Sequence, residues 1–241
     1  MEEIVGVGAP PAALRISPPM DPLTALAVRH GSDKAAHGFC AFYHRLLESR
    51  REQVAKALEI GVLTGASLRM WRDYLPHAVI HGIDLPGNSI PDEDRLTVHA
   101  GDQASRRSLN ELVLRTGSDF DLIVDDGGHT MEQQQVSLGF LFAHLRPGGL
   151  YVIEDLHTSF AKEIVWQRDG MVVSSYATGA DDGNPTTHAL VAALAAGTAI
   201  SSAHLSVPEL VFLRREVRSV EVFDRDGDRV HLSCALWRRA A

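Results

Sequence analysis

Short apolar runs alternate with longer amphipathic stretches along most of this chain. The runs that we interpret as strands read KALEIG, AVIHGIDL, RLTVHAGD, FDLIVDDGG and GLYVIEDLH, each separated from the next by a window of helical or loop character. Continuous apolar runs are typical of parallel strands that are buried on both faces and joined by right-handed crossover helices. The pattern therefore predicts an α/β, Rossmann-like, doubly wound and mostly parallel sheet.

The regions on either side of this series have a different pattern. Residues 1–20 are rich in proline and predict a loose leader, and amphipathic windows within residues 21–54 predict a helical N-terminal region. The tail SVEVFDRDGDRVHLSCALWRR contains two alternating runs around Asp226 and Gly227. There is no room for a helix between them, so we predict an antiparallel C-terminal hairpin over residues 219–238.

The length favours one large domain over two small ones. A chain of 241 residues, 45% of them hydrophobic, can bury a full α/β core. We expect a single domain over residues 1–241, with residues 55–157 forming the part that binds ligands. Residues 160–187 have the weakest periodicity and many turn residues, which predicts a mobile loop there.

Composition excludes several kinds of partner. The formal net charge is -8 and no Lys/Arg cluster is present, which argues against nucleic acid and favours a small polar substrate. Cys40 and Cys234 cannot form a disulfide framework, and the acidic start has no signal-peptide pattern. The longest apolar stretch, ALVAALAAGTAI, is too short to span a membrane. We expect a cytoplasmic protein without a membrane anchor, and leave homo-oligomerisation open.

The first strand ends in the turn LEIGVLTGAS. Its glycines, Gly61 and Gly65, allow a tight turn and a close approach of a ligand to the backbone near a helix N-terminus. The turn does not match the dinucleotide fingerprint G-x-G-x-x-G, because Glu59 occupies the position of the first glycine. A carboxylate at this position suits a cationic ligand better than a pyrophosphate. An ordinary structural glycine turn is the alternative.

The next two strands end in polar residues. Asp84 follows Gly61 at the distance from which an acid can bind both hydroxyls of a ribose, and the pair Asp102 and Gln103 can recognise the edge of an adenine. Each residue alone is equally well explained as a turn or cap residue. The three features in this order predict a nucleoside pocket, because ligands of open parallel sheets bind beyond the carboxyl ends of the strands.

The fourth and fifth strands end in DDGGH and EDLH. Adjacent parallel strands lie about 4.8 Å apart, so Asp126, Glu154 and Asp155 are expected to converge. Three carboxylates so close together require a cation, and hard oxygen ligands favour Mg²⁺, with Mn²⁺ or Ca²⁺ as substitutes. The alternative is that Asp125 and Asp126 cap the following helix, which leaves the acids of EDLH without a role.

His129 is the candidate proton acceptor. It follows Asp126 by three residues, so we expect it in the first helical turn, facing the same opening. Although a lone histidine is more often a surface or capping residue, imidazole accepts protons readily at neutral pH. His157 and Asp125 are weaker candidates for a role in the same site.

The glycine turn, the ribose acid and the adenine pair, in this order over residues 55–157, resemble those of class I S-adenosylmethionine methyltransferases. DDGGH followed by EDLH is similar to the metal-dependent sugar O-methyltransferases of antibiotic biosynthesis, of the mycinamicin and macrocin type. The segment HGSDKAAHGF also resembles that family's histidine-glycine-threonine-aspartate-lysine segment, with Ser32 in place of threonine. The macrolide enzymes carry a large additional N-terminal domain that does not match this chain.

The resemblance implies a role for each site residue. It implies that Asp126, Glu154 and Asp155 bind Mg²⁺ and that His129 is the general base. The residues expected to contact S-adenosylmethionine are Lys34, Glu59, Gly61, Gly65, Ser67, Asp84, Asp102 and Gln103. The implied reaction is direct methylation of a sugar hydroxyl on a glycoside natural product, an oligosaccharide or a polysaccharide, with the metal orienting and acidifying that hydroxyl.

Other functions were weighed against this one. A catechol or phenol O-methyltransferase uses the same metal and cofactor but needs aromatic or apolar walls, and aromatic residues make up only 6% of the chain. A nicotinamide-dependent oxidoreductase needs the glycine fingerprint that is absent here. A noncatalytic binding module does not need a carboxylate cluster beside a nucleoside pocket.

Overall fold

The computed structural model describes residues 20–88, 90–168, 171–227 and 229–241. The predicted loose leader therefore lies outside the described residues, except for Met20. The strands are β1 (Lys56–Ile60), β2 (Val79–Asp84), β3 (Leu96–Ala100), β4 (Phe120–Asp125), β5 (Leu145–Ile153), β6 (Glu163–Arg168), β7 (Met171–Ala177), β8 (Val217–Asp224) and β9 (Leu232–Arg238).

The helices alternate with these strands. They are α1 (Pro22–His30), α2 (Phe39–Leu47), α3 (Ala66–Tyr74), α4 (Arg106–Thr116), α5 (Met131–Leu141), α6 (Thr187–Ala196) and α7 (Val207–Glu216). Short 3₁₀ helices cover Asp33–Ala35, Glu48–Gln53, Phe142–His144 and Leu156–Phe160. Helices α1 and α2 form the helical N-terminal region.

The main sheet has seven strands in the order β3-β2-β1-β4-β5-β9-β8. Strands β1 to β5 pair in parallel, whereas β9 pairs antiparallel with both β5 and β8. This confirms the predicted doubly wound, mostly parallel sheet with an antiparallel C-terminal hairpin. Because the chain runs in opposite directions in β5 and β9, the start of β9 lies beside the carboxyl end of β5, where Cys234 faces Ile153.

Helices cover both faces of the sheet. Every residue of the central strand β4 is buried, which is why its sequence is apolar without alternation. Leu122 and Val124 pack in a core with residues of α1, α2 and α3. Ile123 packs on the other face with residues of α4, α5, α6 and α7. The result is a three-layer sandwich with its ligand-binding edge at the carboxyl ends of β1 to β5.

Residues 160–187 contain a structure that the hydrophobic pattern did not predict. Strands β6 and β7 pair antiparallel in a two-stranded ribbon apart from the main sheet. Val165, Met171 and Val172 are exposed, and none of the ribbon's side chains whose burial is described is buried, so they impose no clear alternation. No helix among the described residues is long and apolar enough to cross a membrane.

Two leucine-to-alanine substitutions should differ in their effect on stability, because one leucine is in the core and the other is on the surface. Leu122→Ala on β4 removes a fully buried side chain and should lower the free energy of unfolding by about 2–5 kcal/mol. Leu114→Ala on α4 is the matched control, because that side chain is 77% exposed, and it should change stability by less than about 0.5 kcal/mol. Urea unfolding followed by circular dichroism measures both. Equal effects would contradict the central position of β4.

Candidate active site

A cavity of about 480 Å³ opens at the carboxyl edge of the sheet. Its walls come from the turns after β1 to β5 and from the segment between α1 and α2. Several residues that were predicted to contact the cofactor line this cavity, namely Gly61, Ser67, Asp84, Asp102 and Gln103. Three residues of the predicted metal and base site, Asp126, His129 and Asp155, line it as well. One cavity therefore joins the predicted nucleoside pocket to the predicted metal site.

The glycine turn after β1 is held by the two strands beside it. Gly61 has a φ of 87°, and its N–H donates to the carbonyl of Ile83 at 2.9 Å. A Cβ atom at this position would overlap the carbonyl oxygen of Asp126. Glycine is therefore required both by the left-handed backbone and by the close approach of the loop that follows β4.

Asp84 closes the same turn from β2. Its Oδ2 accepts hydrogen bonds from the backbone N–H groups of Val62 at 2.8 Å and Leu63 at 3.3 Å. Its Oδ1 accepts from the N–H of Leu85 at 2.7 Å and from Asn88 Nδ2 at 3.2 Å. The carboxylate that the sequence predicts at a ribose thus lies in the cavity wall and also orders the turn.

Gln103 links the end of β3 to the loop after β4. Its Nε2 donates to Asp125 Oδ1 at 3.0 Å, and its Oε1 accepts from the N–H of Gly128 at 2.7 Å. The amide is thereby oriented by the protein, a bracing role that sequence reasoning missed. Asp102, by contrast, accepts from the N–H of Ala104 at 2.8 Å, as in a turn. Recognition of an adenine by this pair remains a prediction.

Asp125 is buried beneath the cavity and does not line it. Its carboxylate accepts hydrogen bonds from Gln103, Ser137 and Tyr151. Burial raises the pKa of this carboxyl to about 6, although the three hydrogen bonds and His129 act to lower it. Asp125 therefore braces the loop, while the adjacent Asp126 faces the cavity.

His129 does not lie in the first helical turn, contrary to the prediction. Helix α5 begins at Met131, and its N-cap is Thr130, whose side chain and that of Gln133 form a capping box. Neither Asp125 nor Asp126 caps the helix, so the capping alternative is wrong. His129 precedes the helix with a φ of 61°, a left-handed conformation that is uncommon outside glycine.

Two segments from outside the loop hold it in this conformation. Thr158 Oγ1 donates to the carbonyl of His129 at 2.8 Å, and the hydroxyl of Tyr176, on β7, donates to the carbonyl of Gly128 at 2.7 Å. These bonds orient the imidazole toward the cavity, since the residue's backbone is fixed on both sides. The sequence offered no signal for either contact.

Asp126, His129 and Asp155 form a group able to hold a metal ion. One ligand atom from each lies within 4.8 Å of the others, and His129 Nε2 is 3.4 Å from Asp155 Oδ2. The Nδ1 atom of His129 is buried and makes no hydrogen bond with the described residues. Two carboxylates open to one cavity are hard donors of the kind that Mg²⁺ prefers, so the donor set fits this ion.

Lys34 lies behind this group, among three carboxylates. Its Nζ is 2.5 Å from Asp126 Oδ2, 2.8 Å from Glu154 Oε1 and 3.2 Å from Glu59 Oε1. Burial acts to lower the pKa of Lys34, but the three carboxylates outweigh it and raise that pKa well above its usual value. Burial, followed by the charge of Asp126, raises the pKa of Glu154.

This cluster changes what was expected of three residues. Lys34 and Glu59 were predicted to contact the cofactor, but their side chains are 1% exposed and face each other behind the cavity wall. Glu154 was expected to point at the metal with Asp126, and its carboxylate is instead hydrogen-bonded by Lys34 and by the hydroxyl of Tyr43. The reason is that a buried ammonium group needs carboxylate partners. Tyr43 was missed because nothing in its helical window distinguishes it from core.

The remaining residues that were predicted for the site lie in different environments. Ser67 lines the cavity and donates to Glu59 Oε2 at 2.7 Å. Gly65 is the N-cap of α3, with a φ of 75°. His157 lies beside Asp155, with Nδ1 3.5 Å from Oδ1. Burial lowers the pKa of His157; Asp155 opposes this shift, and other histidines reinforce it.

The sheet order, the glycine turn and the acids at successive strand ends define a class I S-adenosylmethionine methyltransferase fold. A solved structure that shares it is the MycE methyltransferase from the mycinamycin biosynthetic pathway, in complex with Mg and SAH. The TM-score is 0.70 and the identity 27%, over 90% of this chain and 55% of that one. The predicted resemblance to the mycinamicin and macrocin type is thereby confirmed.

Curated sequences are similar over the same region. Demethylmacrocin O-methyltransferase of Streptomyces fradiae and mycinamicin VI 2''-O-methyltransferase of Micromonospora griseorubida are each 40% identical over 131 residues. In both cases the match covers 52% of this chain and 33% of the relative. The match thus spans about a third of the length of these relatives. No protein-family model matches the chain.

Two glycine substitutions should separate backbone strain from steric overlap. Gly61→Ala combines a positive φ with a clash against the Asp126 carbonyl. Gly87→Ala is the matched control, because its φ is 107° but no atom of the described residues lies within 4 Å of the added methyl group. Gly87→Ala should cost about 1–2 kcal/mol of unfolding free energy, and Gly61→Ala clearly more. Equal losses in urea titrations would refute the close approach of the two turns.

Proposed function

We propose that this protein is an S-adenosylmethionine-dependent and Mg²⁺-dependent O-methyltransferase that methylates a sugar hydroxyl of a glycoside. The observation that carries the proposal is the single cavity shared by two sets of residues. Asp84 and Asp102 lie at the strand ends where class I folds hold a nucleoside. Asp126 and Asp155 line the same cavity and are close enough to hold an ion, and His129 lies beside them.

The similar proteins support this reaction class. Their names describe methylation of sugar hydroxyls: one is a mycinamicin VI 2''-O-methyltransferase, and another is an 8-demethyl-8-alpha-L-rhamnosyl tetracenomycin-C 2'-O-methyltransferase. MycE has been solved with Mg and SAH bound. The acceptor proposed here is accordingly a small glycoside or oligosaccharide of natural-product or polysaccharide biosynthesis.

Asp126 and Asp155 would hold the metal, while Glu154 lies behind them, hydrogen-bonded by Lys34 and Tyr43. When bound there, Mg²⁺ supplies orientation of the acceptor and stabilises negative charge on its oxygen. Lys34 contacts both Asp126 and Glu154 and so holds the acids of β4 and β5 in place behind the proposed metal site. Lys34 also limits the repulsion among the carboxylates, which keeps them together at the strand ends.

His129 would accept the proton of the attacking hydroxyl. As the acceptor oxygen forms its bond to the methyl carbon, the bond from that carbon to the sulfonium sulfur breaks. The proton passes to the imidazole, and the products are the methyl ether and S-adenosylhomocysteine. The hydrogen bonds that fix the backbone of His129 keep the imidazole at the cavity, so little orientation is lost during the reaction.

A catechol or phenol O-methyltransferase and a nicotinamide-dependent oxidoreductase fit this cavity less well. Among the described residues that line the cavity there is no Phe, Tyr or Trp, so a catechol or phenol ring would lack an aromatic wall. A nicotinamide-dependent oxidoreductase would need a glycine-rich turn that approaches a pyrophosphate. The position of the first glycine of that motif is instead occupied by Glu59, which is buried in β1.

Calorimetry distinguishes the methyltransferase from an oxidoreductase. S-adenosylhomocysteine should bind, and NAD should show no comparable affinity. Asp84→Ala should weaken the binding of S-adenosylhomocysteine, because it removes the carboxylate that orders the turn after β1 and that is predicted to bind the ribose.

The metal requirement is tested by chelation. EDTA should abolish transfer of a labelled methyl group to glycosides, and Mg²⁺ should restore it, whereas binding of S-adenosylhomocysteine should survive chelation. Tight NAD binding without a response to S-adenosylhomocysteine would end the proposal, and full activity after thorough chelation would end its metal part.

Two substitutions separate metal binding from proton transfer. Asp126→Asn should raise the Mg²⁺ concentration needed for activity, because it removes a charged ligand. His129→Ala should leave that requirement nearly unchanged and should lower kcat by roughly 10²–10⁴ at saturating metal, the usual loss for a general base. Steady-state kinetics across a Mg²⁺ titration measure both. Wild-type turnover in His129→Ala would exclude it as the base and direct attention to His157.

A further inference from the structure

Three histidines outside the proposed catalytic group lie near one end of the cavity. They come from distant parts of the chain: His37 from the segment between α1 and α2, His157 from the 3₁₀ helix after β5, and His231 from the residue before β9. His37 lines the cavity, His157 lies beside Asp155, and His231 lies beside His37. The sheet order explains their meeting, because the start of β9 lies beside the carboxyl end of β5. His157 and His231 are therefore away from the ends of β1, β2 and β3, which form the nucleoside side.

The contacts among these histidines are specific. The rings of His37 and His231 have centroids 5.2 Å apart, and Phe39 packs edge-on against both rings. His37 also lines the cavity together with Asp155, beside which His157 lies. We call His37, His157 and His231 the histidine rim.

Carboxylates lie near two of the rings. Asp155 Oδ1 lies 3.5 Å from His157 Nδ1, and Asp226 Oδ2 lies 3.7 Å from His231 Nδ1. Both Nδ1 atoms are buried and make no hydrogen bond with the described part of the chain. A neutral imidazole offers one donor and one acceptor, which suits hydroxyl groups, since these also donate and accept.

We propose that His37, His157 and His231 form the acceptor subsite, in which a polyhydroxylated sugar ring is held beside Asp126, His129 and Asp155. This inference rests on the proposed function and assigns it a set of specificity-determining residues. The ring faces of His37 and His231 pack against the C–H groups of the sugar, and the imidazole nitrogens bind its hydroxyl groups. His157 and His231 lie at β5 and β9, away from the ends of β1, β2 and β3, so acceptor and cofactor recognition are separable.

The test measures acceptor and cofactor binding in the same variants. His37→Phe and His231→Phe keep an aromatic ring but remove the nitrogen atoms. With S-adenosylhomocysteine and Mg²⁺ bound, wild-type protein should give saturation-transfer NMR signals with methyl α-L-rhamnopyranoside, and a titration yields the Kd. Each variant should raise that Kd about tenfold or more, the loss expected when one hydrogen bond to the ligand is removed. Calorimetric affinity for S-adenosylhomocysteine should stay within about twofold of wild type.

A distant histidine provides the control. His77→Phe alters an exposed residue that precedes β2, at the opposite edge of the sheet, and should leave both affinities unchanged. Where a glycoside is turned over, the rim variants should raise KM more than they lower kcat, which a general loss of structure would not do.

Each outcome bears on one of the two proposals. Unchanged glycoside affinity in both rim variants, or wild-type protein that binds catechol in preference to the methyl glycoside, would overturn the subsite. Parallel loss of S-adenosylhomocysteine affinity would also overturn it, because the residues would then be structural. Failure of wild-type protein to bind S-adenosylhomocysteine at all would overturn the proposed function itself and the subsite with it.

Discussion

The ion cluster around Lys34 is the interaction on which the site depends. One fully buried ammonium group meets carboxylates from the ends of β1, β4 and β5, namely Glu59, Asp126 and Glu154. Buried charges are costly to desolvate, and removing one partner of such a group typically costs about 3–5 kcal/mol, because the others are left unpaired. The cluster therefore adds less to stability than to geometry: it ties the segment between α1 and α2 to three strand ends at once.

Hydrogen bonds from uncharged side chains fix the loop after β4 in front of this cluster. Gln103 bridges Asp125 to the N–H of Gly128, and Tyr176 on the ribbon binds the carbonyl of the same glycine. The left-handed backbone at His129 persists because neighbouring elements determine it from several sides. A site built this way presents Asp126 and His129 to the cavity with little freedom, which favours catalysis by positioning.

The predictions that succeeded concern strands and their ends. Buried parallel strands leave a direct record in the sequence, since both faces must be apolar, and this is why β4 was recognised as FDLIVD. The ribbon of β6 and β7 was missed because none of its described side chains is buried, so they leave no alternating pattern. His129 was predicted in the first turn of α5 but lies just before the N-cap Thr130, which forms a capping box with Gln133 in place of the aspartates of the alternative interpretation. Propensity alone does not rank competing caps.

The sequence by itself determined the fold class, the order of the strands along the chain and which polar residues stand at their carboxyl ends, because these follow from local pattern and from the geometry of parallel sheets. Only the tertiary structure decided the partners of those residues. Lys34 meets Glu154 across 120 positions of the chain, and His37 meets His231 across most of its length. Such pairings arise from how helices and strands pack in three dimensions, and a one-dimensional pattern contains no information about which side chain of a cluster faces the cavity and which one turns inward.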